Sequence, residues 1–240
     1  PWCLWRDASN DMRYCDGFIV SQTEKIIGGH VAEPHSRPYM AFIRKNLVNN
    51  EPSFCDGFLL NEDFVMTAAH CQAKFLHILL HHRTVEKAFP HENYKKNEFN
   101  DDIMLLKLSS RAVVNNLVKP IALANYDDLT LPTSCIVSGW GQTQANGGIS
   151  DKLMEMNVTL NENSICTKNK LYCSNGTARP GRGDSGGPLV CGQGTAYGVV
   201  SFMSQYSADL SMVAYTKIPC YSDWITSTMK KALTYEVVSS

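Results

Sequence analysis

The stretch ARPGRGDSGGPLVC, residues 178 to 191, supports two incompatible readings. Arg182-Gly183-Asp184 is a tripeptide that adhesion receptors recognise in exposed, flexible loops. Gly183-Asp184-Ser185-Gly186-Gly187-Pro188 is instead a setting for a nucleophilic serine, because small neighbours let backbone N–H groups approach a substrate carbonyl. Serine chemistry also needs a base within hydrogen-bond reach and a carboxylate that orients it. Both residue types occur upstream. His70 lies in TAAHC (67–71), directly before Cys71, which would pin it if oxidised; Asp102 opens DIMLLKL (102–108), a charged residue at the head of an apolar strand. Each feature alone has an ordinary structural explanation: a glycine-rich turn, a histidine beside a cysteine, a solvated strand end. Together, in the order His, Asp, Ser, they point to a triad.

The bulk properties leave room for that chemistry and exclude other classes. The chain has 240 residues, 44% apolar and 19% charged, enough for one large or two small domains with real cores. A net charge of −1 and a sequence pI near 6.8 provide no basic field for nucleic acid or anionic lipid. No apolar run approaches a bilayer span. The chain begins at Pro1 without an initiator Met or apolar signal segment and reads as a processed or truncated product, so the missing signal says nothing about compartment. Nine dispersed cysteines, without the paired spacing of a zinc site, favour structural disulfides in an oxidising compartment. The sequons at Asn157 and Asn175 fit the same secretory route. An odd number leaves at least one thiol free or paired elsewhere.

Short apolar runs punctuated by Gly, Pro, Asn and Asp dominate, and predict strands over 38–44, 58–67, 103–108, 135–140, 195–202 and 212–218. One segment differs: Tyr221, Trp224, Ile225, Met229 and Leu233 recur at helical spacing, with Ser222 as an N-cap candidate. Many short strands and one terminal helix predict an all-β pair of sandwiches or barrels, with residues 111–134 as the crossing. Residues 1–25 stand apart. They are polar, hold Cys3 and Cys15, and end in Glu24-Lys25 before Ile26-Ile27-Gly28-Gly29, a boundary that reads equally as a processing site or a linker.

The stretches IIGGHVAEPHSRPYMAF (26–42), FCDGFLLNEDFVMTAAHC (54–71), DIMLLKL, VSGWG (137–141), GDSGGPLVC (183–191) and AYTKI (214–218) run in collinear order. On them the chain resembles the chymotrypsin-like serine proteases, most of all the granzyme and mast-cell-protease branch. That resemblance implies two packed antiparallel β-barrels, about 26–120 and 133–220, a C-terminal helix at about 222–233, and an extension or propeptide at 1–25. It implies a secreted or granule serine endopeptidase made as a zymogen, acting on protein or peptide substrates through an acyl-enzyme. Protease inhibitors would be further partners; no nucleic acid, membrane span, cofactor or metal is implied, and the molecule would be monomeric. Residue by residue, the resemblance makes Ser185 the nucleophile, His70 general base then acid, and Asp102 the holder of the imidazole tautomer. Gly183 and Ser185 N–H groups form the oxyanion hole, and Ser201 supports the triad carboxylate. Asp184 receives the amino terminus of Ile26 after cleavage at Lys25. Cys55–Cys71, Cys135–Cys191 and Cys166–Cys173 match family disulfides, leaving Cys3, Cys15 and Cys220 with open pairing. With Asp184 turned inward, an adhesion role for the tripeptide is not expected.

The sequence also departs from the family. FLHILL (75–80) runs almost directly into HHRTVEKAFPH (81–91), about one hairpin short, so no calcium site is expected, and lost cover or unpaired edges would weaken the first barrel. The histidines at 77, 81 and 82 read as lone side chains rather than as a metal site. In the specificity pocket, ungapped alignment puts Arg179 at the floor, with Pro180 there after a one-residue shift. Gly181 and Arg182 follow, Met203 stands where a glycine is usual, and Val213 lies on the opposite wall. Asp56 replaces the usual glycine after Cys55. These departures keep open the alternative of a catalytically impaired, protease-like binding protein.

Overall fold

A computed structural model describes residues 28–239 apart from 47–51, 79–82, 97, 99, 126–130, 144–146, 177 and 208–209. The sequence readings at Cys3, Cys15, Lys25, Ile26, His81 and His82 lie outside the described residues. The strands in chain order are β1 (His30–Val31), β2 (Met40–Asn46), β3 (Pro52–Leu59), β4 (Phe64–Thr67), β5 (Phe75–Ile78), β6 (Arg83–Pro90) and β7 (Met104–Leu108). Then follow β8 (Cys135–Gly139), β9 (Met154–Val158), β10 (Leu160–Asn161), β11 (Leu171–Gly176), β12 (Pro188–Cys191), β13 (Thr195–Ser207) and β14 (Leu210–Lys217). Among the described residues the α-helices are α1 (Ser164–Lys168) and α2 (Ser222–Ser239).

The fold is all-β with a C-terminal helix. β2 to β7 form a closed antiparallel barrel in the order β2-β3-β4-β7-β6-β5, and β5 pairing with β2 closes it. The shortened segment after His70 therefore leaves no open edge, contrary to the weakening expected from lost pairing: β5 and β6 pair directly, His77 opposite Thr84. β4 and β7 are buried at every position, which is why they read as nearly continuous apolar runs. Phe58, Leu59, Phe64, Met66, Ile103, Leu105 and Leu106 form the centre of this core. The other strands build one eight-stranded sheet, β1-β9-β8-β12-β13-β14-β11-β10, packed on Val137, Met154, Leu189 and Tyr215.

Local chemistry explains where elements differ from the sequence expectation. The run 58–67 is two strands, because the Asn61 side-chain oxygen accepts the N–H groups of Asp63 and Phe64 at 2.9 and 3.0 Å and turns the chain. Asn163 caps the unforeseen α1, accepting from Ile165 and Cys166 at 2.9 and 3.2 Å. Ser222 is not an N-cap: it is already helical, follows a 3-10 turn, and donates to the Pro219 carbonyl at 3.2 Å. Tyr221 and Ile225 bury against the barrel cluster as their spacing suggests, but Ala232 takes the inward position of the last turns and Leu233 is exposed. Cys55–Cys71, Cys135–Cys191 and Cys166–Cys173 are disulfides; Cys220 is a half-buried thiol with no disulfide partner among the described residues.

Candidate active site

The candidate residues gather where the barrel meets the sheet. The barrel supplies His70, on a 3-10 turn (Ala69–Cys71) after β4, and Asp102, just before β7. The sheet supplies Ser201 and Thr216, from β13 and β14, and Ser185, in the segment before β12. His70 Nδ1 donates to Asp102 Oδ2 at 2.7 Å, and the His70 main-chain N–H donates to Oδ1 at 2.9 Å. Ser201 Oγ donates to Oδ2 at 2.6 Å, and Thr216 Oγ1 donates to the Asp102 carbonyl at 2.9 Å. Asp102 is 3% exposed and Ser201 6%. Burial pushes the Asp102 carboxyl up, but the hydrogen bonds and charge of His70, with the Ser201 hydroxyl, outweigh it and hold the group below its usual range. An ionised carboxylate in this setting accepts from Nδ1 and leaves Nε2 of a neutral ring as a lone-pair acceptor.

Ser185 comes to this assembly through its main chain. Its carbonyl accepts the Asp56 N–H at 2.8 Å and lies 3.7 Å from Cys71 Sγ, so it borders the disulfide adjoining His70. The neighbouring N–H groups are held by a specific backbone path. Gly183 has φ +109°, a region that glycine enters without strain. Gly186 donates to the Val200 carbonyl at 2.8 Å, and Gln142 donates to the Arg182 carbonyl at 2.7 Å. Asp184 is fully buried beneath this path; its oxygens accept from Gly141 and Gly181, each at 2.6 Å. The tripeptide thus has Arg182 exposed, Gly183 half-buried and Asp184 inside.

The pocket candidates are distributed more loosely. Met203 and Val213 are paired across β13 and β14, Met203 44% exposed and Val213 buried. Arg179 is half-buried, and its Nε is enclosed without a hydrogen-bond partner among the described residues. Pro180 is buried and Gly181 half-buried. Asn157 and Asn175 are exposed on β9 and β11. Cys55, His70 and Cys71 cluster tightly, but the two sulfurs are bonded to each other and offer no thiolate to a metal. Sequence reasoning missed Thr216, a hydroxyl within an unremarkable strand, and saw Asp56 only as a departure from glycine. Asp56 is fully buried against Asp184.

Comparison with known proteins agrees with this architecture. A family model described as "Trypsin" matches residues 26–225. "Granzyme-like protein 1" of Rattus norvegicus is 34% identical over 240 residues, covering 89% of this chain and 94% of the relative. "Chymase" of Canis lupus familiaris is 35% identical over 233 residues, covering 88% and 92%. The solved structure described as "Structure of GrC" superposes with a TM-score of 0.74 at 32% identity, over 85% of this chain and 100% of that one. With a closed barrel, a partner sheet and a terminal helix of the same kind, the chain belongs to the trypsin family, as a serine endopeptidase related to the granzymes and chymases.

Proposed function

We propose that the chain hydrolyses peptide bonds by acyl transfer to Ser185, and that cleavage after Lys25 switches it on. The observation that carries this reading is the His70–Asp102 contact, 2.7 Å at Nδ1, reinforced by Ser201 and by the His70 main chain. The carboxylate keeps the proton on Nδ1, so Nε2 can take the Ser185 hydroxyl proton as Oγ attacks the scissile carbonyl. The imidazolium then stands beside an ionised Asp102 and returns the proton to the leaving amine. The N–H groups of Gly183 and Ser185 receive the oxyanion charge; losing one such donor typically costs about 10²–10³-fold in kcat. A water repeats the sequence in reverse and frees the acid.

Two features support activation by cleavage. Asp184 is a buried carboxylate in the segment that carries the oxyanion donors, and burial pushes it up to about 6 against the opposing N–H bonds of Gly181 and Gly141. An arriving ammonium would neutralise it. Gly28 lies so close to Ala178 that a Cβ there would stand 2.9 Å from the Ala178 Cβ, so Gly28 borders this segment. Ile26 would supply the ammonium. Residues 1–25 are then the propeptide and 26–240 the peptidase domain. Three disulfides and exposed sequon asparagines fit a secreted or granule enzyme. Among the described residues no helix is long and apolar enough to cross a membrane. Labelling with a fluorophosphonate before and after trypsin treatment tests the reading. Labelling only after cleavage, and none in Ser185→Ala, is expected; no labelling of the cleaved wild-type chain would leave a binding protein.

A further inference from the structure

The mechanism above uses only one of two carboxylates that meet behind the nucleophile. Asp56, on β3, and Asp184 both have 0% exposure. They converge over Gly139: a Cβ there would stand 2.2 Å from Asp184 Oδ1 and 2.3 Å from Asp56 Oδ2, so only glycine fits and the two oxygens are immediate neighbours. Asp184 accepts two main-chain N–H groups at 2.6 Å, whereas Asp56 accepts one, from Trp140 at 3.1 Å, and its Oδ1 has no donor among the described residues. Among the described residues no cation pairs with either. Two like charges this close in a dry interior are not both maintained; one proton turns the repulsion into a charge-assisted hydrogen bond. Asp184, with two short N–H bonds, is the better home for the charge, and Asp56 for the proton. Burial and then the Asp184 charge push the Asp56 carboxyl well above its usual range.

We propose that Asp56 is a positioning residue for the oxyanion-binding segment: its protonated carboxyl donates to the Asp184 carboxylate and, with the Gly141 and Gly181 N–H groups, holds Gly183 in place. The proposal rests on the reading of Ser185 as nucleophile. The Asp56 main chain already grips the same segment, donating to the Ser185 carbonyl at 2.8 Å, and its own carbonyl is fixed by Thr67 Oγ1 at 2.7 Å. The groups around Asp56 define its titration. Asp184 faces it from the 178–187 segment, Thr67 from β4, and Gly139 and the Trp140 main-chain N–H from the end of β8. His70 stands beyond the Cys55–Cys71 disulfide, and in the activated form the Ile26 ammonium would join Asp184.

The test uses the full chain, uncut and cleaved. Infrared difference spectra with ¹³C-aspartate at neutral pH should contain the carbonyl stretch of a protonated, buried carboxylic acid, and Asp56→Asn should remove it. Asp56→Ala should lower kcat of the cleaved enzyme by about 10- to 100-fold with KM within about twofold, since the segment acts in the transition state. Asp56→Asn keeps a donor toward Asp184 and should recover about tenfold of that loss. The alkaline fall in kcat/KM caused by ionisation of Asp56 should be missing from Asp56→Asn, leaving a pH-dependent ratio of wild type to variant. Absence of the band from wild type, its persistence in Asp56→Asn, or equal activity of the Asn and Ala variants overturns the proposal. If a variant fails to fold, absence of the band from wild type still overturns the proposal. Failure of the cleaved wild type to react with fluorophosphonate would instead sink the nucleophile reading, leaving the infrared result independent.

Discussion

Asp102→Asn isolates the tautomer control on which the mechanism depends. Oδ1 of Asp102 accepts the His70 main-chain N–H, and Oδ2 accepts both His70 Nδ1 and Ser201 Oγ. An asparagine must put its NH₂ at one of these positions. At the Oδ1 position it would oppose a main-chain N–H, which can only donate. At the Oδ2 position it meets the Ser201 hydroxyl, which can rotate to accept, and a ring nitrogen, which can give up its proton. The amide therefore turns its nitrogen to the Oδ2 position, Nδ1 becomes the acceptor, and the proton moves to Nε2. The ring then has no lone pair for Ser185. In triads of this type the wrong tautomer lowers kcat by about 10⁴-fold, which is about 5 kcal/mol of transition-state stabilisation. The assay is peptide turnover by the cleaved variant near neutral pH, normalised to folded protein by thermal unfolding. KM should change little, because Asp102 is buried behind His70. A variant retaining more than about a tenth of wild-type kcat would refute the tautomer argument.

Three further outcomes are expected. A Lys25→Gln chain shown by mass to be uncut should be nearly inactive, and cleaved Asp184→Asn should remain zymogen-like, because breaking a buried ion pair from one side typically costs about 3–5 kcal/mol; full activity of the uncut Lys25→Gln chain would overturn activation by cleavage. A peptide-library profile should show poor cleavage after Lys or Arg and a preference for Leu, Met or Phe, since the only charged pocket candidates are Arg179 and Arg182 and a substrate cation would be buried without a partner; dominant Lys or Arg cleavage would show that the pocket is elsewhere. In the uncut chain, Asp184 binds its proton more tightly folded than unfolded, so its burden on stability is absent below about pH 4, grows as pH rises, and levels off above about pH 6. Chemical denaturation should find Asp184→Asn gaining on wild type across that window by up to about 3 kcal/mol, over a constant offset from its misplaced amide; a pH-independent difference would contradict this.

The features readable from the residues alone are local ones. Triad candidates, the glycine-bracketed serine and the run 102–108 are legible because each is a short motif whose residue types state their chemistry. Most strands are legible for the same reason, since β4 and β7 carry their burial in composition. Where a side chain competes locally with the strand, as Asn61 does at a turn and Asn163 at a helix cap, the signal was present but weaker than the apolar run around it. That the barrel closes despite the shortened segment is a long-range outcome, because closure depends on β5 finding β2 rather than on any property of residues 75–90. Tertiary structure also brings Thr216, from the other half of the molecule, to the Asp102 carbonyl, beside the Ser201 hydroxyl that the resemblance implied. Asp56 is the clearest case: in the sequence it is one acidic residue in place of a glycine, and nothing near it in the chain suggests a partner. Its protonation and its role arise from a second carboxylate brought against it across Gly139, where both have lost their water.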